Sequence, residues 1–327
     1  MTVRRAAAID CGTNSIRLLI ADVDLERGTA EDVVREMTVV RLGEGVDATG
    51  AFSGPALERT FTACRDYAQI LRDAGSPPMR FVATSASRDV SNRTQFIDGV
   101  QTILGVRPEV ITGQEEGELS FAGATAGIPL GTTPPFLVVD IGGGSTEFVL
   151  GAHAPTHRAS VDVGCVRMTE RHLAGDPPTP EQVAAARIDI DEAIARAGAQ
   201  VPFAEAATLV GLAGSVTTVA ALALDLPAYD AGVIHHSRIP VGDVRCVSDA
   251  LLVMSRRERA ALPVMHPGRV DVIAAGALVL RRIMDLTGAA EVLVSEHDIL
   301  DGVARSVAAH EVVGPRPPDE PTPAARR

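Results

Sequence analysis

The stretch FLVVDIGGGSTEFVLG (136–151) places an aspartate and a glycine-rich turn between two apolar runs. Short apolar runs bounded by turn residues are typical of β-strands, so this stretch predicts a β-hairpin. The segment AAAIDCGTNSIRLLIADV (6–23) has the same form, and a shift of 130 positions aligns Asp10 with Asp140 together with the glycines and serines of the two turns. The sequence therefore predicts two duplicated units that begin with matching hairpins.

The segments between and after the hairpins alternate between strand and helix patterns. A strand pattern that leads into a loop lies at 80–90, another strand pattern lies at 291–296, and helix patterns lie at 55–74, 91–105, 178–198, 266–285 and 299–310. The stretch 207–224 predicts a strand, a Gly-Ser turn and a helix. A Pro- and Gly-rich connector, GIPLGTTPP (127–135), is the best candidate for a domain boundary. This alternation predicts an α/β fold, and its sheets should be mixed because each half begins with a hairpin.

Composition predicts a folded protein of two domains. The chain has 327 residues, of which 46% are hydrophobic and 22% charged, and this length exceeds the usual size of one domain. No apolar run reaches the roughly 18 residues that span a bilayer, and the N-terminus has no signal-peptide pattern, so we expect a cytoplasmic protein without a membrane partner. The four cysteines lack CxxC spacing, which argues against a zinc site or a disulfide framework.

The charge balance constrains the ligand. The formal net charge is −12, and all thirty basic residues are arginine. A negative field repels polyanions, so we expect no nucleic acid polymer as a partner, and any phosphate ligand must be bound locally. Arginine suits such local binding because its planar guanidinium matches phosphate oxygens.

Three glycine-rich turns are candidate phosphate sites. They lie at 11–15, 142–146 and 211–215, and the third precedes a helix pattern. Backbone N–H groups in such turns, and at the N-terminus of a helix, can converge on one anion. The predicted phosphate-binding residues are Gly12, Thr13, Asn14, Ser15, Gly142, Gly143, Gly144, Ser145, Thr146, Gly214 and Ser215.

Seven motifs together resemble the Ppx/GppA family of exopolyphosphatases and guanosine pentaphosphate phosphohydrolases. They are IDCGTNSIRLLI (9–20), ATSASRD (83–89), ITGQEEGELSF (111–121), VVDIGGGSTE (138–147), VGCVRMTE (163–170), GLAGSVTT (211–218) and HHSRIP (235–240). The resemblance implies two actin-like (ribonuclease H-like) domains, with mixed sheets and a cleft between them. They would comprise residues 1–127, completed by a C-terminal helix 299–311, and residues 128–298, followed by a disordered tail 312–327.

The resemblance also implies a catalytic glutamate, Glu116, the second acidic residue of the T-G-x-E-E motif. Its role would be general base toward the water that attacks the terminal phosphorus, whereas Glu115 would point elsewhere. Arg88, and with it Arg17, would lie against substrate phosphates, where a guanidinium stabilises charge on the equatorial oxygens. Asp140 would belong to the same catalytic group.

Metal ligands follow from the same resemblance. Asp140 and Glu147 match the family's magnesium-associated carboxylates, and Asp10 holds the corresponding place in the first hairpin. Mg²⁺, or Mn²⁺ in its place, would neutralise and orient the phosphate.

Other residues in these motifs have weaker indications. Arg167 is a possible phosphate contact, and His235 and His236 have no accompanying nucleophile pattern and are expected to pack within a loop. The segment SEHDILDG (295–302) departs from the Gly-Gly-x-L-R-x-G form common in the family, so no substrate role is assigned to it.

The sequence leaves the substrate open. Polyphosphate, in short chains because the additional C-terminal helical domains of longer family members are absent, and guanosine pentaphosphate (pppGpp) would both use this site. Two alternatives of other classes are an ATP-dependent small-molecule kinase and a non-catalytic polyphosphate- or alarmone-binding regulator. Family resemblance suggests a homodimer.

Overall fold

Two mixed β-sheets form the framework of the protein. The computed structural model describes residues 3–88 and 90–310, so the predicted tail lies outside the described residues. The strands are β1 Val3–Cys11, β2 Ser15–Asp24, β3 Thr29–Val39, β4 Met79–Ala83, β5 Glu109–Val110, β6 Phe136–Ile141, β7 Thr146–Gly151, β8 Pro155–Val161, β9 Thr208–Leu212, β10 Arg238–Pro240 and β11 Glu291–Val294. The first sheet has the order β3-β2-β1-β4-β5, and the second has the order β10-β11-β9-β6-β7-β8.

Helices cover both sheets. They are α1 Val46–Thr49, α2 Gly54–Asp73, α3 Arg93–Leu104, α4 Gly113–Thr125, α5 Cys165–His172, α6 Pro180–Gly198, α7 Ala213–Ala223, α8 Ala231–Ile234, α9 Val241–Val253, α10 Arg256–Ala260, α11 Ile273–Thr287 and α12 Ile299–Ala309, with 3-10 turns at Ser85–Ser87, Phe203–Glu205 and Pro267–Arg269. The α/β class with mixed sheets, as predicted, is confirmed.

Both predicted hairpins are present and equivalent. Strands β1 and β2 pair antiparallel with Asp10 opposite Arg17, and β6 and β7 pair antiparallel with Asp140 opposite Glu147. Strand β4 runs parallel to β1, and β9 runs parallel to β6. Since these parallel strands end toward the glycine-rich turns, both sheets present the carboxyl ends of their strands to one cleft, the usual ligand position in such sheets.

The helix predicted at 266–285 begins later than expected. A 3-10 turn occupies Pro267–Arg269, and α11 starts only at Ile273. Proline at the first position of the turn and glycine at the second favour a turn over a continuous helix. The consequence is that Arg269 projects from a turn at the mouth of the cleft.

The outer faces of the two sheets carry separate cores. One core lies between the first sheet and helices α2 and α3, and it includes Ile9, Leu18, Tyr67 and Phe96. The larger core lies between the second sheet and the helices from α5 to α11, and it includes Phe148.

The inner faces are covered crosswise by two helices. Helix α12, the last of the described helices, packs on the first sheet in a cluster that includes Val303 and Ala8. Helix α4, from the first half of the chain, packs on the second sheet in a cluster that includes Phe121 and Val138. The two helices also contact each other, so the two layers meet at the α4–α12 crossing.

Glycines permit this close crossing. A Cβ atom at Gly123 would overlap the carbonyl oxygen of Asp298, and one at Gly302 would overlap the carbonyl oxygen of Leu119. Both glycines are buried. Backbone oxygens cannot move aside as a flexible side chain can, so the crossing distance depends on these two missing side chains.

We predict that Gly302→Ala lowers the free energy of unfolding by about 2–3 kcal/mol, because the added methyl overpacks a buried backbone contact. Urea unfolding followed by circular dichroism measures it. The matched control is Gly242→Ala in α9, where an added Cβ meets nothing within 4 Å and a rise of up to about 1 kcal/mol is expected from helix propensity. Equal stability of the two variants would contradict the tight crossing.

Candidate active site

The first two glycine-rich turns touch each other. A Cβ at Gly143 would lie 2.8 Å from the Cβ of Thr13, and the Thr13 hydroxyl lies 2.9 Å from that of Ser85. Equivalent hydrogen bonds close the two turns: Gly12 N–H donates to the Ser15 carbonyl at 2.9 Å, and Gly142 N–H donates to the Ser145 carbonyl at 3.0 Å. The predicted pairing of these turns around one space is thereby observed.

The third turn completes the wall of a cavity of about 120 Å³. Ala213, Gly214 and Ser215 line it at the N-terminus of α7, opposite residues 12–15 and Gly142 and Gly143. Ala213 has a φ of 67°, a conformation that side chains rarely adopt. Because α7 begins here, its unpaired amides and its dipole favour an anion in the cavity.

Three of the predicted phosphate contacts do not line this cavity. Ser145 is buried and donates to Glu147 Oε1 at 2.8 Å, and Thr146 donates to the carbonyl of Val163 at 2.5 Å. Gly144 packs against the side chains of Thr13 and Ser85. The hydroxyls of Ser145 and Thr146 are thus already used inside the protein, and all three residues support the second turn without facing the cavity.

Three buried carboxylates lie at the site: Asp10 and Asp140 line the cavity, whereas Glu147, opposite Asp140 in the hairpin, does not. Asp10, Asp140 and Glu147 are 5%, 7% and 1% exposed. Burial raises the pKa of Asp140 to about 7, the carboxylates of Asp298 and Glu147 add to the rise, and a hydrogen bond from Ser120 opposes it. Burial likewise raises the pKa of Asp10 and of Glu147.

One carboxylate oxygen of Asp140 and one of Glu147 accept hydrogen bonds from serine hydroxyls. Asp140 Oδ2 accepts a 2.7 Å bond from Ser120, and Glu147 Oε1 accepts bonds from Ser145 and from Ser160, the latter at 2.7 Å. By contrast, the buried Oδ1 of Asp10 and Oε2 of Glu147 have no hydrogen-bond partner within residues 3–88 and 90–310. A buried oxygen without a partner is costly and calls for a ligand.

These free oxygens fit a hard cation. Among residues 3–88 and 90–310, no group of three or more His, Cys, Asp or Glu side chains is placed to hold a metal ion by itself. Mg²⁺ is commonly bound by one or two carboxylates, with water and substrate phosphates completing its shell. The donor set therefore fits a cation shared with a phosphorylated ligand.

Helix α4 carries Glu116 to the cavity wall. Thr112 caps this helix by accepting from the N–H of Glu115, and Glu116 is 8% exposed and lines the cavity. Arg88 pairs with Glu116 Oε2, and its Nε donates to the Ile111 carbonyl at 3.2 Å. Arg88 thus lies behind the glutamate, whereas the prediction placed it against phosphate.

Neighbouring candidates face elsewhere. Glu115 pairs with Arg80 at 2.6 Å on the protein surface, as expected of an acid that points away from the cavity. Arg167 donates to the Gly144 carbonyl at 2.7 Å and pairs with Asp47. It therefore ties the second turn to the short helix α1 and does not line the cavity.

Arg17 lines the cavity, but carboxylates already engage it. Its Nε and Nη2 donate to Asp10 Oδ2 at 3.1 and 2.7 Å, and its Nη1 donates to Asp298 Oδ2. Asp298 lies in the divergent segment to which the sequence assigned no role.

Sequence reasoning missed Arg269. It lines the cavity, donates to the Thr218 hydroxyl at 2.8 Å and lies 5.9 Å from the ring centre of Tyr229. In the described part of the chain it has no ion-pair partner, and a Cβ at Gly214 would meet its guanidinium. The one available signal was the Pro-Gly-Arg turn, which interrupts a helix pattern.

The paired histidines lie outside the cavity. The ring of His235 stacks on His236 at 3.6 Å and on His297 at 4.5 Å, and His235 Nδ1 accepts from the N–H of Glu296 at 3.1 Å. Burial, with the two neighbouring rings, lowers the pKa of His235 to about 4. The expected packing role of this pair agrees with these contacts.

Two sheets that present glycine-rich turns to a shared cleft define an actin-like phosphate-binding protein. The chain belongs to the Ppx/GppA phosphatase family, whose sequence model matches residues 19–311. Exopolyphosphatase 2 of Mycobacterium tuberculosis is 52% identical over 320 residues, which cover 94% of this chain and 100% of that protein.

Solved structures agree with this assignment. An exopolyphosphatase-like protein, 42% identical, superposes with a TM-score of 0.90 over 94% of this chain and 98% of that one. The Ppx/GppA enzyme of Aquifex aeolicus, 28% identical, superposes with a TM-score of 0.77 over 93% of this chain and 100% of its own.

We predict that the histidine cluster makes stability fall with acid. The folded-state pKa of His235 lies below its unfolded value, so its contribution is complete above about pH 6.5 and is lost progressively as the pH falls toward 4. Because the ring is only half-buried, the loss should be about 1–2 kcal/mol.

Urea midpoints of wild type and His235→Gln, measured between pH 7.5 and 4.5, test this prediction. The difference between the two proteins should shift across that window in favour of the variant. His153→Gln, on the exposed turn after β7, is the control and should track wild type. A pH-independent difference for His235→Gln would contradict it.

Proposed function

We propose that the protein is an exopolyphosphatase that removes the terminal phosphate of inorganic polyphosphate. The observation that carries the proposal is Glu116, fixed by Arg88 at the wall of a cavity whose other walls are three amide-rich turns. The name of the M. tuberculosis relative supports the same substrate.

Glu116 is suited to accept a proton from water. Its pair with Arg88 fixes the carboxylate at the cavity wall, where it can act as a general base toward water. The Ile111 carbonyl fixes Arg88 in turn, so we assign Arg88 as a positioning residue. In the proposed step the water oxygen bonds to the terminal phosphorus, Glu116 takes the proton, and the anhydride bond breaks to leave a chain shortened by one phosphate.

The turns stabilise the phosphate. Residues 13–15, Gly143 and the α7 N-terminus line the space where its oxygens would lie, whereas the amides of Gly12 and Gly142 are used within their own turns. Fixed donors stabilise the charge that develops during transfer without reorganising. Arg269 adds a cation that is not committed to a carboxylate of the described chain.

The charge of the cavity explains a need for a divalent cation. Asp10, Glu116 and Asp140 line it against Arg17 and Arg269, which leaves a formal charge of −1 before any phosphate enters. A bound Mg²⁺ or Mn²⁺ would supply charge neutralisation and orientation of the phosphate. Asp10, Asp140 and Glu147 are the residues that would hold it.

A second cavity favours pppGpp as the alternative substrate. It measures about 460 Å³, borders the first cavity at Arg17 and Arg269, and has a mixed lining in which Tyr229, Met265 and other apolar side chains lie beside charged ones. Apolar and aromatic walls with a few polar groups, beside a phosphate site, suit an aromatic base. The mode of catalysis would be the same.

We predict that Glu116→Gln lowers kcat for phosphate release at least about 10²-fold, because the amide cannot accept the proton. A substrate panel of tripolyphosphate, long polyphosphate and pppGpp, with Mg²⁺ and a coupled phosphate assay, measures it. Glu115→Gln is the control and should keep activity within about twofold.

The same panel separates the other readings. Highest kcat/KM on pppGpp would favour the alternative, and binding without turnover would indicate a regulator. ATP-dependent phosphorylation of an added acceptor, without release of orthophosphate, would indicate a kinase. Normal hydrolysis by Glu116→Gln would remove the proposed base.

We predict that Glu147→Gln weakens Mn²⁺ binding at least about tenfold, because it removes a free buried carboxylate oxygen. Electron paramagnetic resonance of free Mn²⁺ measures this without turnover. Glu118→Gln, at a surface pair with Arg158, should bind as wild type does. Equal affinity of the two variants would exclude Glu147 as a ligand.

The remaining expectations concern assembly and location. Of the described helices, none has the length and apolarity needed to cross a membrane. The homodimer, the cytoplasmic location, the absence of a nucleic acid partner and the domain bounds at 127 and 298 stay predictions.

A further inference from the structure

Arg17 lies at the border between the two cavities. Its guanidinium lines both, whereas Asp298 lines only the second. The Arg17 side chain is 22% exposed, so part of it faces the space that a ligand would enter, but the Asp298 carboxylate, 5% exposed, already occupies its Nη1.

The local structure fixes this carboxylate firmly. Asp298 is the N-cap of α12, and its Oδ1 accepts from the N–H of Leu300 at 3.0 Å. Its own N–H donates to Asp301 Oδ2, which completes a capping box. One oxygen of Asp298 therefore holds the helix, and the other is presented to Arg17.

Asp298 competes with a substrate phosphate for the Arg17 guanidinium. A guanidinium pairs with carboxylate and with phosphate through the same N–H groups. Arg17 already has Asp10 as a partner at 2.7 Å, so Asp298 is a second anion on one cation. A phosphate oxygen that approaches Arg17 meets a position that a protein carboxylate has filled.

We propose that Asp298 is a specificity-determining residue, whose carboxylate occupies the Arg17 face that a substrate phosphate beyond the cleaved one would otherwise take. A phosphate chain must displace it to reach Arg17. The affinity for extended phosphate chains is therefore held below what the arginine alone would give. This inference rests on the proposed phosphatase function of the same site.

The test is binding of tripolyphosphate in the Glu116→Gln background, measured by calorimetry with Mg²⁺. Asp298→Asn keeps a good N-cap and removes the charge. We expect it to tighten the Kd about fivefold or more, the scale of one charge-assisted hydrogen bond. Asp298→Ser, also a good N-cap, is a second variant with the same expectation should the asparagine protein fail to fold.

Two controls separate competition at Arg17 from a general loss of negative charge. Glu36→Gln removes a negative charge that lines the second cavity and that forms no ion pair with an arginine among the described residues, so the Kd should stay within about twofold. Arg17→Gln combined with Asp298→Asn should cancel the gain. Thermal unfolding confirms that each variant is folded.

An unchanged or weaker Kd in the folded Asp298 variants would overturn the proposal. So would an equal gain in Glu36→Gln, or a gain that persists without Arg17. Phosphate release by the wild-type enzyme is measured in parallel. If wild type releases no phosphate from any substrate of the panel, the proposed function fails, whereas turnover by wild type with no gain in the variants defeats this inference alone.

Discussion

The burial of more carboxylates than cations at the meeting point of two sheets is the constraint on which the site depends. Asp10 and Asp140 occupy equivalent places on β1 and β6, and Glu147 faces Asp140 across a hairpin. Taking charged groups out of water is expensive unless hydrogen bonds or counter-charges compensate. Serine hydroxyls and Arg17 provide part of that compensation. The oxygens that remain without a partner are the ones that a cation and a phosphate can use.

The hairpins were predictable because their signals are local. An apolar run, an acid, glycines and a second apolar run specify strands and turn without reference to the rest of the chain. Strand β3 gave no such signal, since TAEDVVREMTV (29–39) carries charged side chains and is mostly exposed at the sheet edge. The late start of α11 depended on one Pro-Gly pair, whose effect an apolar helix pattern concealed.

The sequence predicted the glycine-rich turns and the acidic residues of the site, but it did not predict which groups the arginines contact. Arg17 and Arg88 were expected to face phosphate. Both instead form ion pairs with carboxylates, and the sequence did not predict these pairs. Asp298 reaches Arg17 from 281 positions away, and Arg269 arrives at the cavity from a turn in the second half of the chain. Only the packing of α12 and of that turn determines which cations stay available.

The exchange of helices between the two sheets has a consequence for synthesis on the ribosome. The inner face of the first sheet, formed by residues such as Ala8 and Leu19, is covered by α12, which is translated after every other described helix. Domains usually fold as they emerge, N-terminal part first. Here the nascent first half exposes an apolar face until α12 has left the exit tunnel, so it is prone to aggregation during translation.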